Sequence, residues 1–193
     1  TMMLVLPADH VIKNINEFHK IISKASIHAE AGRLVTFGIT PSSANTGYGY
    51  INFSKKSNNE SHKVNKFVEK PNKEIAEVYL SQGNYLWNSG MFMFQPQVFL
   101  GELALYSEDI LSAVDKALKN SSEDLDFIRL EKNAFESSPN LSIDYAVMEK
   151  SNNVVVLKLD AGWSDVGSWA SLYEISEKDK NGNVFKGDIF SEE

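Results

Sequence analysis

Apolar residues along this chain come either in short unbroken runs or at intervals of three to four positions. An unbroken run of four to eight reads as a strand covered on both faces; the longer period reads as a helix with one face on a core. Residues 3–6 (MLVL) predict a buried strand that runs into Pro7-Ala8-Asp9-His10. Residues 14–30 predict a helix, with Ile15, Phe18, Ile22, Ala25 and Ala29 on one face. Asn14 is its cap, Glu17 completes a capping box, and Gly32 stops it. Residues 34–39 form a second apolar strand and 41–46 a polar loop. Gly47-Tyr48-Gly49-Tyr50-Ile51 enters the next strand, 55–61 is a polar turn, and 63–69 returns as a strand.

Pro71-Asn72 then opens a helix to about residue 82, with Gly83 as its stop. Residues 85–94 form a long aromatic strand. Two or three helices follow between 96 and 135, one with the stripe Ile110, Leu111, Val114 and Leu118. A short helix at 142–150, a buried strand at 154–159 and a turn at 162–169 into a last helix complete the series. Asn181-Gly182-Asn183 turns the chain out of the domain. The alternation of strands and helices predicts an α/β domain.

The 193 residues suit one such domain, and 42% hydrophobic with 23% charged residues is an ordinary globular balance. The absence of cysteine excludes a disulfide framework, a thiolate zinc site and a cysteine nucleophile. A net charge of -7 argues against a nucleic-acid partner, though a few local cations and a metal ion suffice for one nucleotide. No apolar run is long enough to span a membrane, and the opening residues lack the basic flank of a signal peptide. A domain rarely starts abruptly in a central strand, so the natural chain is expected to begin earlier.

The candidate chemistry gathers at strand ends. Asp9 follows one predicted strand and Asp165 another, and ligands of open α/β sheets bind beyond the carboxyl ends of strands. Two carboxylates there can share a Mg²⁺, or each can cap the turn or helix that follows. Glu69 and Lys70 end the strand before Pro71: a hydroxyl acceptor and a compact cation, or a surface ion pair of little consequence. Gly47 and Gly49 permit close approach of backbone to a ligand, or simply a strand-entry turn. Asn88-Ser89-Gly90 breaks an apolar strand, either to satisfy neighbouring backbone or to face a pocket. Asp144 falls in the first turn of a helix, where a negative charge is favourable in itself. His10, His19, His28 and His62 have no metal spacing, and neither a G-x-S-x-G elbow, a Walker A loop nor a G-x-G-x-x-G is present. The aromatics between 127 and 135 read as core.

Six strings then stand in one order: PADH (7–10), TGYGYI (46–51), FVEKP (67–71), WNSGMF (87–92), SIDYAVMEK (142–150) and GWSDVGSW (162–169). Together, over essentially the whole chain, they resemble bacterial mannose-1-phosphate guanylyltransferases. FVEKP is shared with other sugar nucleotidyltransferases; its combination with PADH and GWSDVGSW is more specific. The resemblance implies a Rossmann-like nucleotidyltransferase domain over residues 1–180 with a mixed sheet, and a linker from 181. It implies a cytoplasmic, Mg²⁺-dependent enzyme of polysaccharide-precursor synthesis, joining GTP and mannose 1-phosphate into GDP-mannose and pyrophosphate. Oligomeric state stays open, a homo-oligomer included.

By the same resemblance Asp9 and Asp165 hold the metal, and Lys70 faces the sugar phosphate. Glu69 and Asn88 bind sugar hydroxyls, Tyr48 and Gly49 approach the sugar, and Trp163 walls the pocket or belongs to the core. Asp144 is a further substrate contact. The family's Gly-rich loop, GGxGxRLxPLS, does not occur in these residues, and the loop at 41–45 departs from the family's usual form. The chain is therefore expected to be a nucleotidyltransferase domain truncated at its N-terminus, with a β-helical or isomerase segment to follow. The alternatives are a non-catalytic sugar-nucleotide-binding homologue, or a transferase for another base or sugar.

Overall fold

The computed structural model describes residues 1–55 and 60–190, so most of the polar turn expected at 55–61 lies outside the described residues. The strands are β1 (Met3–Val5), β2 (Val11–Ile12), β3 (Leu34–Ile39), β4 (Tyr50–Phe53), β5 (Ser61–Val68), β6 (Tyr85–Phe94), β7 (Ser122–Asp124), β8 (Phe127–Arg129), β9 (Val154–Lys158) and β10 (Trp163–Ser164). The helices are α1 (Ile15–Glu30), α2 (Lys73–Gln82), α3 (Pro96–Tyr106), α4 (Glu108–Lys119), α5 (Lys132–Glu136) and α6 (Trp169–Ile175), with a π-helical turn at Asp144–Met148.

Six strands form the main sheet in the order β1-β6-β3-β9-β5-β4, and β6 also pairs with β4, so five of them close a circuit. The sheet is mixed: β3 and β9 run parallel, and the other pairs are antiparallel. Successive side chains of a strand alternate between faces. Val35, Phe37 and Leu157 accordingly pack with Ile21, Ala25 and Ala29 of α1 on one face. Leu34, Val154 and Val156 pack with Leu103 of α3 and with Ala146, Val147 and Met148 of the π turn on the other. This is the expected α/β layering.

Local signals explain several boundaries. Asn14 caps α1 by accepting from the Glu17 N–H at 3.0 Å. The return half of the capping box does not form, because the Asn14 N–H is taken by the Ala161 carbonyl and the Glu17 carboxylate turns to Lys20. Asn72 caps α2, and Gly83, left-handed at φ 63°, ends it.

Four expectations are corrected. β1 is an edge strand paired, among the described residues, with β6 alone, and Met3 and Leu4 are exposed rather than buried. The helix expected at 142–150 is a π turn. On α4 the buried positions are Ala113 and Ala117, while Val114 and Leu118 are exposed: the small side chains bring the helix close, and the larger ones flank it. Phe127 and Phe135 are exposed rather than core, Phe127 lying in the β7–β8 hairpin, whose strand residues are all exposed.

Candidate active site

The polar break in β6 has a structural cause. Thr36 of β3 pairs with Phe92, yet Gly38, two residues on, pairs with Asn88, four residues back, so β6 bulges between 88 and 92. Gly90 supplies the left-handed φ of 70° that the bulge requires. Ser89 is buried and its hydroxyl donates to the Phe37 carbonyl at 2.7 Å, in place of a missing ladder N–H. The Asn88 N–H bonds the Gly49 carbonyl at 2.8 Å, and the Asn88 amide donates to Asp144 Oδ1 at 3.0 Å. The bulge thus aims one amide at a carboxylate from the π turn.

A cleft of about 190 Å³ forms there. Tyr48, Gly49, Glu69, Lys70, Asn88, Asp144, Trp163 and Asp165 all line it. They come from the entry to β4, the exit of β5, the β6 bulge, the π turn and the segment at β10. Asp9 is the exception: its side chain is 86% exposed, and the cleft is lined instead by its neighbour His10.

Gly49 is required by space. A Cβ there would stand 2.5 Å from Glu69 Oε2 and 3.3 Å from Asn88 Cβ. Glu69 is mostly buried, and its Oε1 meets the exposed Lys70 ammonium at 3.1 Å. Lys70 has a φ of 44°, and Val166, directly after Asp165, one of 52°. Non-glycine residues in this region carry strain of about 1–2 kcal/mol each, and such strain concentrates at binding and catalytic sites.

Asp144 is largely buried between Asn88 and Ser142, whose hydroxyl donates to Oδ2 at 3.3 Å. Burial first, then the charge of Glu69, pushes its carboxyl above the ordinary carboxylate range, against the opposing pull of those two donors. Tyr48 donates to Asp165 Oδ1 at 2.7 Å; burial and then this bond raise its phenol well above the usual range, so it remains a donor. Its ring packs edge-on against Trp87 and Trp163, at 4.9 and 5.4 Å. Trp163, fixed by the pairing of β10 with β2, donates from Nε1 to His10 Nδ1 at 3.2 Å; it lines the cleft and also packs against the α1-side core. That bond keeps the His10 proton off Nδ1.

Two largely buried carboxylates, Glu69 and Asp144, with an amide, a cation and Asp165 at the strained turn before Val166, make a site that positions and screens charge. For a divalent cation, Asp165 offers a hard oxygen donor already oriented by Tyr48. Among the described residues no group of three metal-ligating side chains converges. One or two carboxylates suit a Mg²⁺ whose remaining ligands are waters and substrate phosphates. Sequence reasoning missed His10, Ser142 and Trp87 as neighbours of the site, although all three stand inside the quoted strings PADH, SIDYAVMEK and WNSGMF.

The nucleotidyl transferase family model matches residues 1–182. The chain belongs to that family. It is 52% identical over 196 residues to a mannose-1-phosphate guanylyltransferase of Salmonella montevideo, an alignment covering 98% of this chain and 41% of that protein. The chain thus spans about two fifths of the length of the curated relatives it matches. A crystal structure titled mannose-1-phosphate geranyltransferase, from Thermus thermophilus, superposes with a TM-score of 0.80 at 30% identity, covering 92% of this chain and 50% of that one. Another, titled mannose-6-phosphate isomerase, from Helicobacter pylori, gives 0.76 at 35% identity over 84% of this chain and 63% of that one. Nucleotidyltransferases of this family generally use a divalent metal. Among the described residues no helix is long and apolar enough to cross a membrane.

Proposed function

We propose that this chain is the sugar-phosphate half of a cytoplasmic enzyme that transfers GMP from GTP to mannose 1-phosphate. A phosphate oxygen of mannose 1-phosphate attacks the α-phosphorus of GTP in line. The bond from that phosphorus to the bridging oxygen breaks, and pyrophosphate leaves with the electron pair. GDP-mannose is the other product. No covalent intermediate on the protein is needed, so positioning and charge screening carry the rate.

Glu69 and Asn88 accept and donate to sugar hydroxyls, and Gly49 lets the ring lie against backbone. Asp144, with its raised tendency to hold a proton, serves as a second hydroxyl partner. Lys70 sits against the sugar phosphate, and Trp163 closes the wall. Asp165 and Asp9 are the carboxylates for Mg²⁺, which when bound offsets charge on the phosphates. Asp9 reaches this role only by turning in from its exposed position.

The reading rests on one observation above the others: Glu69, Lys70, Asn88, Asp144 and Asp165, distant in sequence apart from the first two, converge on a single cleft. It is tested by pyrophosphate release from the full-length protein with mannose 1-phosphate, Mg²⁺ and each of the four ribonucleoside triphosphates in turn. Release with GTP alone is expected. Release with another triphosphate changes the nucleotide but not the chemistry, and release with none overturns the assignment in favour of a binding role.

A further inference from the structure

A larger cavity, of about 430 Å³, lies beside the cleft and shares Tyr48 and Trp163 with it. Its other residues come from the loop before β4, from β6 and from the stretch between β10 and the end of α6, and none of them has a part in the proposed transfer reaction. Five hydroxyls line it: Ser42, Ser43, Ser164, Ser168 and Ser171. Asn45 and Glu174 add an amide and a carboxylate. The aromatic side of the wall is Tyr48, Trp87 and Trp163.

Among the described residues the lining has no lysine or arginine. A phosphate or carboxylate would therefore leave water without a charge partner, and Glu174 would repel it. A neutral ring bearing several hydroxyls meets the opposite situation. Each serine hydroxyl both donates and accepts, and Glu174 accepts. The C–H face of a sugar ring suits the electron-rich faces of the indoles.

We propose that this cavity binds a neutral hexopyranose, as a site separate from the sugar-phosphate cleft. The test is saturation-transfer NMR on the full chain with D-mannose as the probe and inorganic phosphate as the competitor. Wild type binds D-mannose saturably, with a Kd on the order of 1–10 mM for so small a ligand. Ser171→Phe fills the cavity and weakens binding by about tenfold or more. Asn88→Ala removes a sugar contact of the neighbouring cleft, so the saturable D-mannose binding that persists in this variant reports the cavity, and phosphate does not displace it. Glu174→Gln serves where Ser171→Phe does not fold; losing the charged acceptor weakens binding by about threefold or more. The proposal is overturned by no saturable binding, by displacement with phosphate, by loss on Asn88→Ala, or by unchanged affinity in the cavity variant. Turnover is not read here, so the transfer reaction and this site fail independently.

Discussion

Replacing Gly49 by alanine adds one methyl group at the point where the candidate sugar site is tightest. The Gly49 carbonyl is pinned by the Asn88 N–H at 2.8 Å, so its backbone does not move aside. The new Cβ would stand 2.5 Å from Glu69 Oε2, and ordinary contact begins near 3.4 Å, so the carboxylate must retreat by roughly 0.9 Å. Glu69 is the end of a flexible side chain beside a cleft, so the fold absorbs this for about 1 kcal/mol, a Tm drop of about 2–4 °C. The chemistry does not absorb it: a displacement near 1 Å in a positioning group costs on the order of 10²-fold in rate. Gly38→Ala is the control. Its Cβ would meet Leu86 at 2.6 and 2.8 Å and Val156 at 2.9 Å, in the core, where nothing can retreat. That variant loses about 3 kcal/mol and falls mainly in Tm. Pyrophosphate-release kinetics and thermal melts on both proteins separate the two effects. A Gly49→Ala enzyme whose kcat/KM stays within about threefold of wild type would refute the role given to the Glu69 carboxylate.

Asp144→Asn tests the raised carboxyl. The folded state holds that proton to higher pH than the unfolded chain, so its contribution to stability is full at acid pH and is lost as pH rises through the folded pKa. The variant's Tm therefore gains on wild type as pH rises from about 4 through the raised folded pKa, and a pH-independent difference would exclude the assigned burial. Asp165→Asn keeps the acceptor for Tyr48 and with it the fold, but loses Mg²⁺-dependent turnover by about 10²-fold or more; unimpaired turnover removes Asp165 from the metal site. Ser89→Ala leaves the Phe37 carbonyl and the Met91 N–H without the hydroxyl that joins them across the bulge. It lowers stability by about 2 kcal/mol, or about 4–8 °C in Tm, and a melt unchanged from wild type would show that water replaces the hydroxyl.

The elements legible from sequence are those whose cause is local. Asn14 and Asn72 cap helices with their own side chains, and Gly83 ends one with its own backbone, so the boundaries can be read where they occur. β6 was legible as a long strand because its apolar run is longer than its interruption. β2 and β10 were not, because two residues carry no period, and their pairing joins Ile12 to Trp163 across most of the chain. The exposure of β1 escaped for a related reason: MLVL states that a strand forms, while its place in the sheet depends on how many neighbours pair with it.

The same distinction governs the site. The glycine at 49 and the Asn-Ser-Gly break at 88–90 both announce themselves as departures from a pattern. What the pattern cannot express is that one explains the other. The register shift between Thr36 and Gly38 brings Asn88 to Gly49, and the absent Cβ of Gly49 leaves room for Glu69. The π turn then inserts Asp144 at the distance where the Asn88 amide must choose between it and a ligand. A π turn closes its hydrogen bonds one residue further along than an α-helix, and it is found often at functional sites because the wider turn re-aims a side chain without ending the helix. SIDYAVMEK has no proline or glycine to signal such a turn. The burial of Ala146, Val147 and Met148 against α3 and the sheet selects it, so Asp144 owes its direction to packing on the far side of the backbone.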